Sequence, residues 1–166
     1  MKTGTSPQGV TILFYGVGGQ GVLTAAEVCA LAALHEGFHV KQSLVKGMAQ
    51  RGGAVESYVR FAGCVHSPLP PDGSIDVLVC LHTDEYDRLK HQLKKGGVDL
   101  FPYLARAHAA VGGRRIFLNT YMLGVLSARL ALSEESWLAA LDRKFRKAPA
   151  ENREFFLMGR SAGRQP

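Results

Sequence analysis

The chain has 166 residues, three cysteines and a formal charge of +6 at pH 7. That length suits one domain that buries about 70% of the surface its unfolded form exposes, without disulfide or metal staples. Cys29, Cys64 and Cys80 form no C-x-x-C pair, which excludes a disulfide framework and a zinc or iron–sulfur ligand set and leaves three small apolar side chains expected to be buried.

From Ala139 onward seven Arg and Lys stand against three acids, so the positive charge is mostly a C-terminal property. That stretch lacks the aromatic interleaving or recognition helix of a nucleic-acid binder and reads as a solvated or protein-docking helical face. MKTGTSPQG has no apolar signal core, and no run reaches the roughly 18 apolar residues of a membrane helix, so a cytoplasmic chain is expected.

Val10 to Tyr15, VTILFY, is a short apolar run that ends at glycine, as a buried first strand does. Gln20 to Glu36 follows with apolar residues at helical spacing and Gly37 as its stop. Phe38 to Ser43 reads as a second strand parallel to the first, reached by a right-handed crossover. After the loop KGMAQRGG, AVESYVRF alternates, and with Ala62-Gly63 and the return CVHS it predicts an antiparallel hairpin. DVLVCL, Asp76 to Leu81, is another buried strand, and Thr83, Asp84 and Glu85 open a helix that Lys94, Lys95 and Gly96 close. Arg115 to Asn119 is a short extended segment, Thr120 to Leu132 is helical, and Ser133 starts a helix whose stripe Trp137, Leu138, Leu141 and Phe145 ends at Pro149. The pattern predicts a single α/β domain over residues 1–158, with mostly parallel sheet, an inserted antiparallel hairpin and a helical C-terminus. Residues 159–166 are expected to be a disordered tail.

GVGGQG, residues 16 to 21, lies between a strand and a helix, as a dinucleotide-binding turn does. Gly16 would permit the tight turn, Gly18 close backbone approach and Gly21 close helix packing, with Gly19 and Gln20 between them and helix amides beyond to favour an anion. An NAD site also wants an acid about 20 residues on. Val40, Lys41, Gln42 and Ser43 stand there instead, which speaks against NAD and leaves Lys41 and Ser43 as a weaker opening for a 2′-phosphate. No G-x-x-x-x-G-K-[ST] occurs, so a P-loop is excluded. In the second loop, Gly47, Met48, Gln50, Arg51, Gly52 and Gly53 combine backbone donors with one forked cation, compatible with ligand contact, a subunit interface or plain structure.

Gly159-Arg160-Ser161-Ala162-Gly163 spells G-x-S-x-G, but nothing follows it to form the strand-to-helix elbow of a serine hydrolase. The six histidines show no H-E-x-x-H or i, i+4 pairing, so no metal site is expected. His82, just past a strand's carboxyl end, stands where an α/β functional residue would, though a capping role suits it as well.

The order of parts, GVGGQG with its Ala-rich helix, G-M-A-Q-R-G-G, the hairpin, SPLPPDGSIDVLVCL at Ser67 to Leu81 and RRIFLNTYMLGVLSARLALSEESWLAAL, resembles the gamma-type domain of the 2-oxoacid:ferredoxin oxidoreductases over most of residues 10 to 158. Within that family, which acts on pyruvate, ketoisovalerate or indolepyruvate, the small subunit of indolepyruvate oxidoreductase is especially similar. The resemblance implies a Rossmann-like three-layer sandwich and a complex that decarboxylates a 2-oxoacid on thiamine diphosphate. Electrons would pass through iron–sulfur clusters to ferredoxin and, in most members, the acyl group to coenzyme A. Thiamine diphosphate and the clusters are expected in a catalytic partner, coenzyme A at a shared site, and both glycine loops facing that partner. No catalytic residue is assigned to this chain, and a homo-oligomer is conceivable when it is isolated. Two departures stand out: Ser43, Leu44, Val45 and Lys46 replace the family's usual S-E-V-H, and residues 96 to 113 look short, as though a strand were lost after LKKGG. A small NADP-binding oxidoreductase using Gly16, Gly18, Gly21, Lys41 and Ser43, and a bare interaction module, are the rival readings.

Overall fold

The computed structural model describes residues 9–46, 53–84 and 86–165. Five strands form one sheet: β1 (Val10–Val17), β2 (His39–Lys46), β3 (Ala54–Ala62), β4 (Ile75–Cys80) and β5 (Leu93–Asp99), in the order β2-β3-β1-β4-β5. β1 pairs parallel with β4, and β4 with β5, whereas β3 runs antiparallel to both β1 and β2. Four strands therefore share one direction, and β3 is the exception between them.

The helices are α1 (Val22–His35), the single turn α2 (Tyr86–Leu89), α3 (Leu104–Val111), α4 (Leu118–Ser127), α5 (Glu134–Lys144) and α6 (Pro149–Arg164). Alternation along the strands divides the core. Ile12, Phe14, Val59, Val77 and Val79 face α1, α4 and the C-terminal helices. Leu13, Tyr15, Tyr58, Ile75 and Leu78 face the other way, under a thinner cover that includes Leu89.

Several boundaries depart from the pattern. β3 takes β2 and β1 as partners, so the antiparallel pair is β2–β3, and residues 64–67 form no strand. Lys94, Lys95 and Gly96 do not close a helix but lie in β5, which also supplies the strand that had looked lost. Lysines suit that sheet edge because they discourage pairing with another chain. Arg115–Phe117 is a 3-10 turn rather than an extended segment.

Pro149 begins α6 instead of ending α5, taking the first helical position where a missing N–H costs nothing. α6 continues to Arg164 with Gly159, Ala162 and Gly163 buried, so the expected disordered tail is a packed helix and G-x-S-x-G belongs to its interface. The reason is steric. A Cβ on Gly159 would stand 2.0 Å from the Tyr121 carbonyl oxygen and one on Gly124 2.0 Å from that of Phe156, so α4 and α6 cross backbone against backbone.

Candidate functional site

β1 ends in the first glycine turn. Gly19 (φ 89°) and Gly21 (φ 75°) adopt the left-handed conformation that makes the turn, and Gly21 caps α1. Gly16 has a different task from the one its motif position suggests. It lies in β1, and a Cβ there would stand 2.7 Å from Val22 and 2.8 Å from the Gln20 side chain. Gln20 fills that space: its Oε1 accepts from the Val17 N–H (2.9 Å) and its Nε2 donates to the Leu81 carbonyl (2.9 Å), so one amide joins the carboxyl ends of β1 and β4. At Gly21 the crowding neighbour is Asn119 at the start of α4, whose Nδ2 donates to the Gly21 carbonyl (3.4 Å).

Gly47, Met48, Gln50, Arg51 and Gly52 lie outside the described residues. Gly53 is described, and its carbonyl accepts from the Gly18 N–H at 3.1 Å. The first glycine turn is thus tied to the end of the second loop, at the carboxyl end of β1.

Beside this turn lies a cleft of about 480 Å³ whose walls include Gly18, Gly19, His82, Thr83, His108 and Arg115. Ile116, 77% exposed, also lines it. His82 and Thr83 come from the segment after β4, His108 from α3, and Arg115 from the turn before α4. His82 Nδ1 accepts from the Asp84 N–H (3.1 Å), which leaves Nε2 to carry the proton of the neutral ring. The nearby Asp84 carboxylate, at 3.7 Å, is the looser contact.

Among the described residues no carboxylate lines the cleft, and the first turn of α1 carries no acid to offset its positive end. The arrangement suits an anion, held by a guanidinium, imidazoles, a hydroxyl and backbone. Of these residues His82 was visible in the sequence from its place after a strand. His108 and Arg115 were not, because only the packing of α3 and α4 brings them there.

Further polar contacts join α2 and residues 90–92 to β3. Arg88 on α2 donates to Glu56 Oε1 on β3 (2.6 Å), and the Tyr58 hydroxyl meets Glu56 Oε2 and Gln92 Oε1, each at 3.1 Å. Burial, with the Glu56 charge beside it, pushes the Tyr58 hydroxyl up to about 12, so it stays a donor at neutral pH. Tyr86 donates to the Asp99 carboxylate, a bond that together with burial pushes its hydroxyl up to about 12, and its ring stacks on Phe101.

The positions suited to a 2′-phosphate are engaged elsewhere. Lys41 Nζ donates to the His66 carbonyl (2.8 Å) and Ser43 Oγ to that of Pro68 (3.5 Å). Cys64 is exposed, contrary to the expectation for all three thiols, while Cys29 and Cys80 are buried. Among the described residues no group of three or more His, Cys, Asp or Glu could hold a metal ion, and no helix is long and apolar enough to cross a membrane.

Compared with known proteins, residues 11–162 match the family model described as pyruvate ferredoxin/flavodoxin oxidoreductase. The indolepyruvate oxidoreductase subunit IorB of Thermococcus kodakarensis is 45% identical over 87 residues, 52% of this chain and 43% of that protein, so the match spans less than half of the relative. The 2-oxoglutarate synthase subunit KorC of Archaeoglobus fulgidus is 30% identical over 171 residues, covering 96% of this chain and 90% of that one. Among solved structures, the gamma subunit of a keto/oxoacid ferredoxin oxidoreductase from Geobacter sulfurreducens superposes with a TM-score of 0.75 at 29% identity, covering 93% of this chain and 98% of that chain.

Proposed function

Because the chain belongs to the pyruvate ferredoxin/flavodoxin oxidoreductase family, we propose that it is the gamma-type subunit of a thiamine-diphosphate-dependent 2-oxoacid:ferredoxin oxidoreductase of the cytoplasm. Its 2-oxoacid is of the pyruvate, branched-chain or indolepyruvate class. The subunit carries no redox centre and completes the active site or docking surface of a catalytic partner, which passes electrons to ferredoxin. The observation that supports this reading is the bond between Gly18 and Gly53, which ties the first glycine turn to the residue before β3 next to a cationic cleft.

The residues of this chain do not suit an iron–sulfur cluster. Its three cysteines fall short of the four thiolates such a cluster takes, and two of them are buried. They do suit the phosphates of coenzyme A, for which Arg115, His108, Thr83 and the backbone at Gly19 would be the holding groups. Coenzyme A supplies, when bound, the thiol that accepts the acyl group. What this chain contributes is electrostatic: it neutralises and orients an anion at the shared site.

Co-expression with a subunit bearing thiamine and cluster motifs tests the reading. A complex that oxidises a 2-oxoacid, and whose turnover falls when this chain is omitted, is expected. Recovery of the chain alone from native extract, with no large iron–sulfur partner, overturns the assignment, as does turnover indifferent to its presence.

A further inference from the structure

Two of the segments that line the cleft, the glycine turn and His82–Thr83, are tied to one strand. Gly18 is bonded to the carbonyl of Gly53, the residue before β3, and three residues further along β3 Glu56 is bonded to Arg88. Arg88 lies on α2, a single turn that follows the His82–Asp84 segment. The glycine turn is therefore held to the beginning of β3 by a backbone bond, and the helix that follows His82–Asp84 by an ion pair.

The ion pair is poorly suited to a purely stabilising role. The Glu56 side chain is 11% exposed and that of Arg88 52%, so the carboxylate pays desolvation for a partner still half in water. Nor is the pair needed to attach α2 to the sheet. Leu89 is fully buried, and the Tyr86 ring stacks on Phe101 at 3.8 Å between centroids. A helix of four residues cannot hold its own direction, since its first hydrogen-bonded turn is the unfavourable one to form. Apolar anchoring fixes where α2 sits, while the guanidinium fixes how it and the preceding segment are turned.

We propose that Glu56 and Arg88 are positioning residues which set the place of His82 and Thr83 against Gly18 and Gly19, and so the width of the cleft that takes the anionic acceptor. The proposal rests on the functional reading above for the identity of the acceptor. Neither side chain is among those lining the cleft, so both act through the segment they hold.

The decisive variant is the double replacement Glu56→Leu with Arg88→Met, which removes both charges and leaves the Tyr58 hydroxyl its bond to Gln92. The full chain should melt within about 3 °C of wild type, because replacing such a pair by apolar groups is often neutral. Amide hydrogen exchange at His82–Asp84 should speed up about tenfold or more while the amides of β1 and β4 keep their protection. In the assembled complex the KM for coenzyme A should rise about tenfold with kcat within twofold, the scale at which residues outside a site modulate it. Arg88→Lys should restore part of both effects.

Unchanged exchange at His82–Asp84 together with unchanged KM overturns the proposal. So does a uniform loss of protection across the sheet with a lowered melting temperature, which marks a structural role only. Should the wild-type complex prove indifferent to coenzyme A, it is the functional reading that fails, and the exchange measurement on the full chain still decides the positioning.

Discussion

Gly159→Ala is the substitution for which the structure gives the sharpest magnitude. A methyl group there would lie 2.0 Å from the Tyr121 carbonyl oxygen and 2.9 Å from its carbon, both backbone atoms of α4 that no side-chain rotation can clear. The contact must lengthen by more than about 1 Å to leave the repulsive wall, so α4 and α6 must move apart along their crossing. Helix propensity acts in the opposite sense, since alanine is favoured over glycine by about 1 kcal/mol in a helix interior. Overpacking of this kind costs about 1–3 kcal/mol or more, and separation of two fully packed helices puts it at the upper end. The expected balance is a loss of about 2 kcal/mol, or some 4–8 °C in Tm for a chain of this size. Gly124→Ala makes the reciprocal clash, 2.0 Å from the Phe156 oxygen, so the double variant should lose less than the sum of the two. Ser161→Ala, at an exposed position between Gly159 and Gly163, should change stability by no more than about 0.5 kcal/mol. Thermal or urea unfolding followed by far-UV circular dichroism reads all four proteins. A Gly159→Ala chain as stable as wild type would refute the close crossing.

Cys64 is exposed whereas Cys29 and Cys80 are buried, with burial and then the Asp99 charge pushing the Cys80 thiol up to about 12. An aromatic disulfide reagent should therefore titrate one thiol promptly and the others only after denaturant is added, and two prompt thiols would contradict the packing. Glu36 is held down at about 2, from 4.5, by hydrogen bonds from Ser133, side chain and backbone, and then from Ser136. A carboxylate whose folded value is depressed contributes stability above about pH 4.5 and loses it as the pH falls toward 2. Solvent screening of this exposed group limits the contribution to under about 1 kcal/mol, and Glu36→Gln should flatten the acid limb of stability against pH. Arg115→Ala should weaken inorganic phosphate binding about tenfold or more, read by titration, with Tm unchanged, because a surface cation contributes little to folding and about 1.5–3 kcal/mol to a charged hydrogen bond.

Where burial makes its own pattern, the sequence was readable. β1 and β4 are apolar runs of the length of a strand, α1 ends at a glycine, and the alternation of AVESYVRF marks β3. Strand partners were harder, because alternation fixes which residues share a face and not which neighbour the strand chooses. β5 was hidden for a related reason. It is an edge strand with two exposed lysines, and its composition mimics the end of a helix. At Gly159 and Gly163 small residues suggested a frayed end when they mark a close helix crossing, a distinction that depends on α4, more than thirty residues away. In the site, the glycine turn announced itself and His82 gave a hint from its place after β4. His108 and Arg115 gave none, since their convergence is a property of how α3 and α4 pack.

The place of β3 also decides how the glycine turn works. In a dinucleotide fold the strand beside β1 runs parallel to it and ends in the acid that holds the ribose. Here β3 occupies that place in the opposite direction, so Val17 faces Ala54 and the turn lies next to the beginning of a strand. Lys41 and Ser43 stand one strand further out on β2, two inter-strand spacings or roughly 9–10 Å from β1. The absent acid is thus a consequence of strand order, and restoring it should not restore a cofactor. Lys41→Asp places the missing carboxylate about 20 residues after the turn, where the motif asks for it. Titration calorimetry with NAD should still show no binding, because a carboxylate on β2 cannot reach a ribose held at Gly16–Gly21. Micromolar affinity for NAD in that variant would show that the motif, rather than the position of β3, governs what the turn can hold.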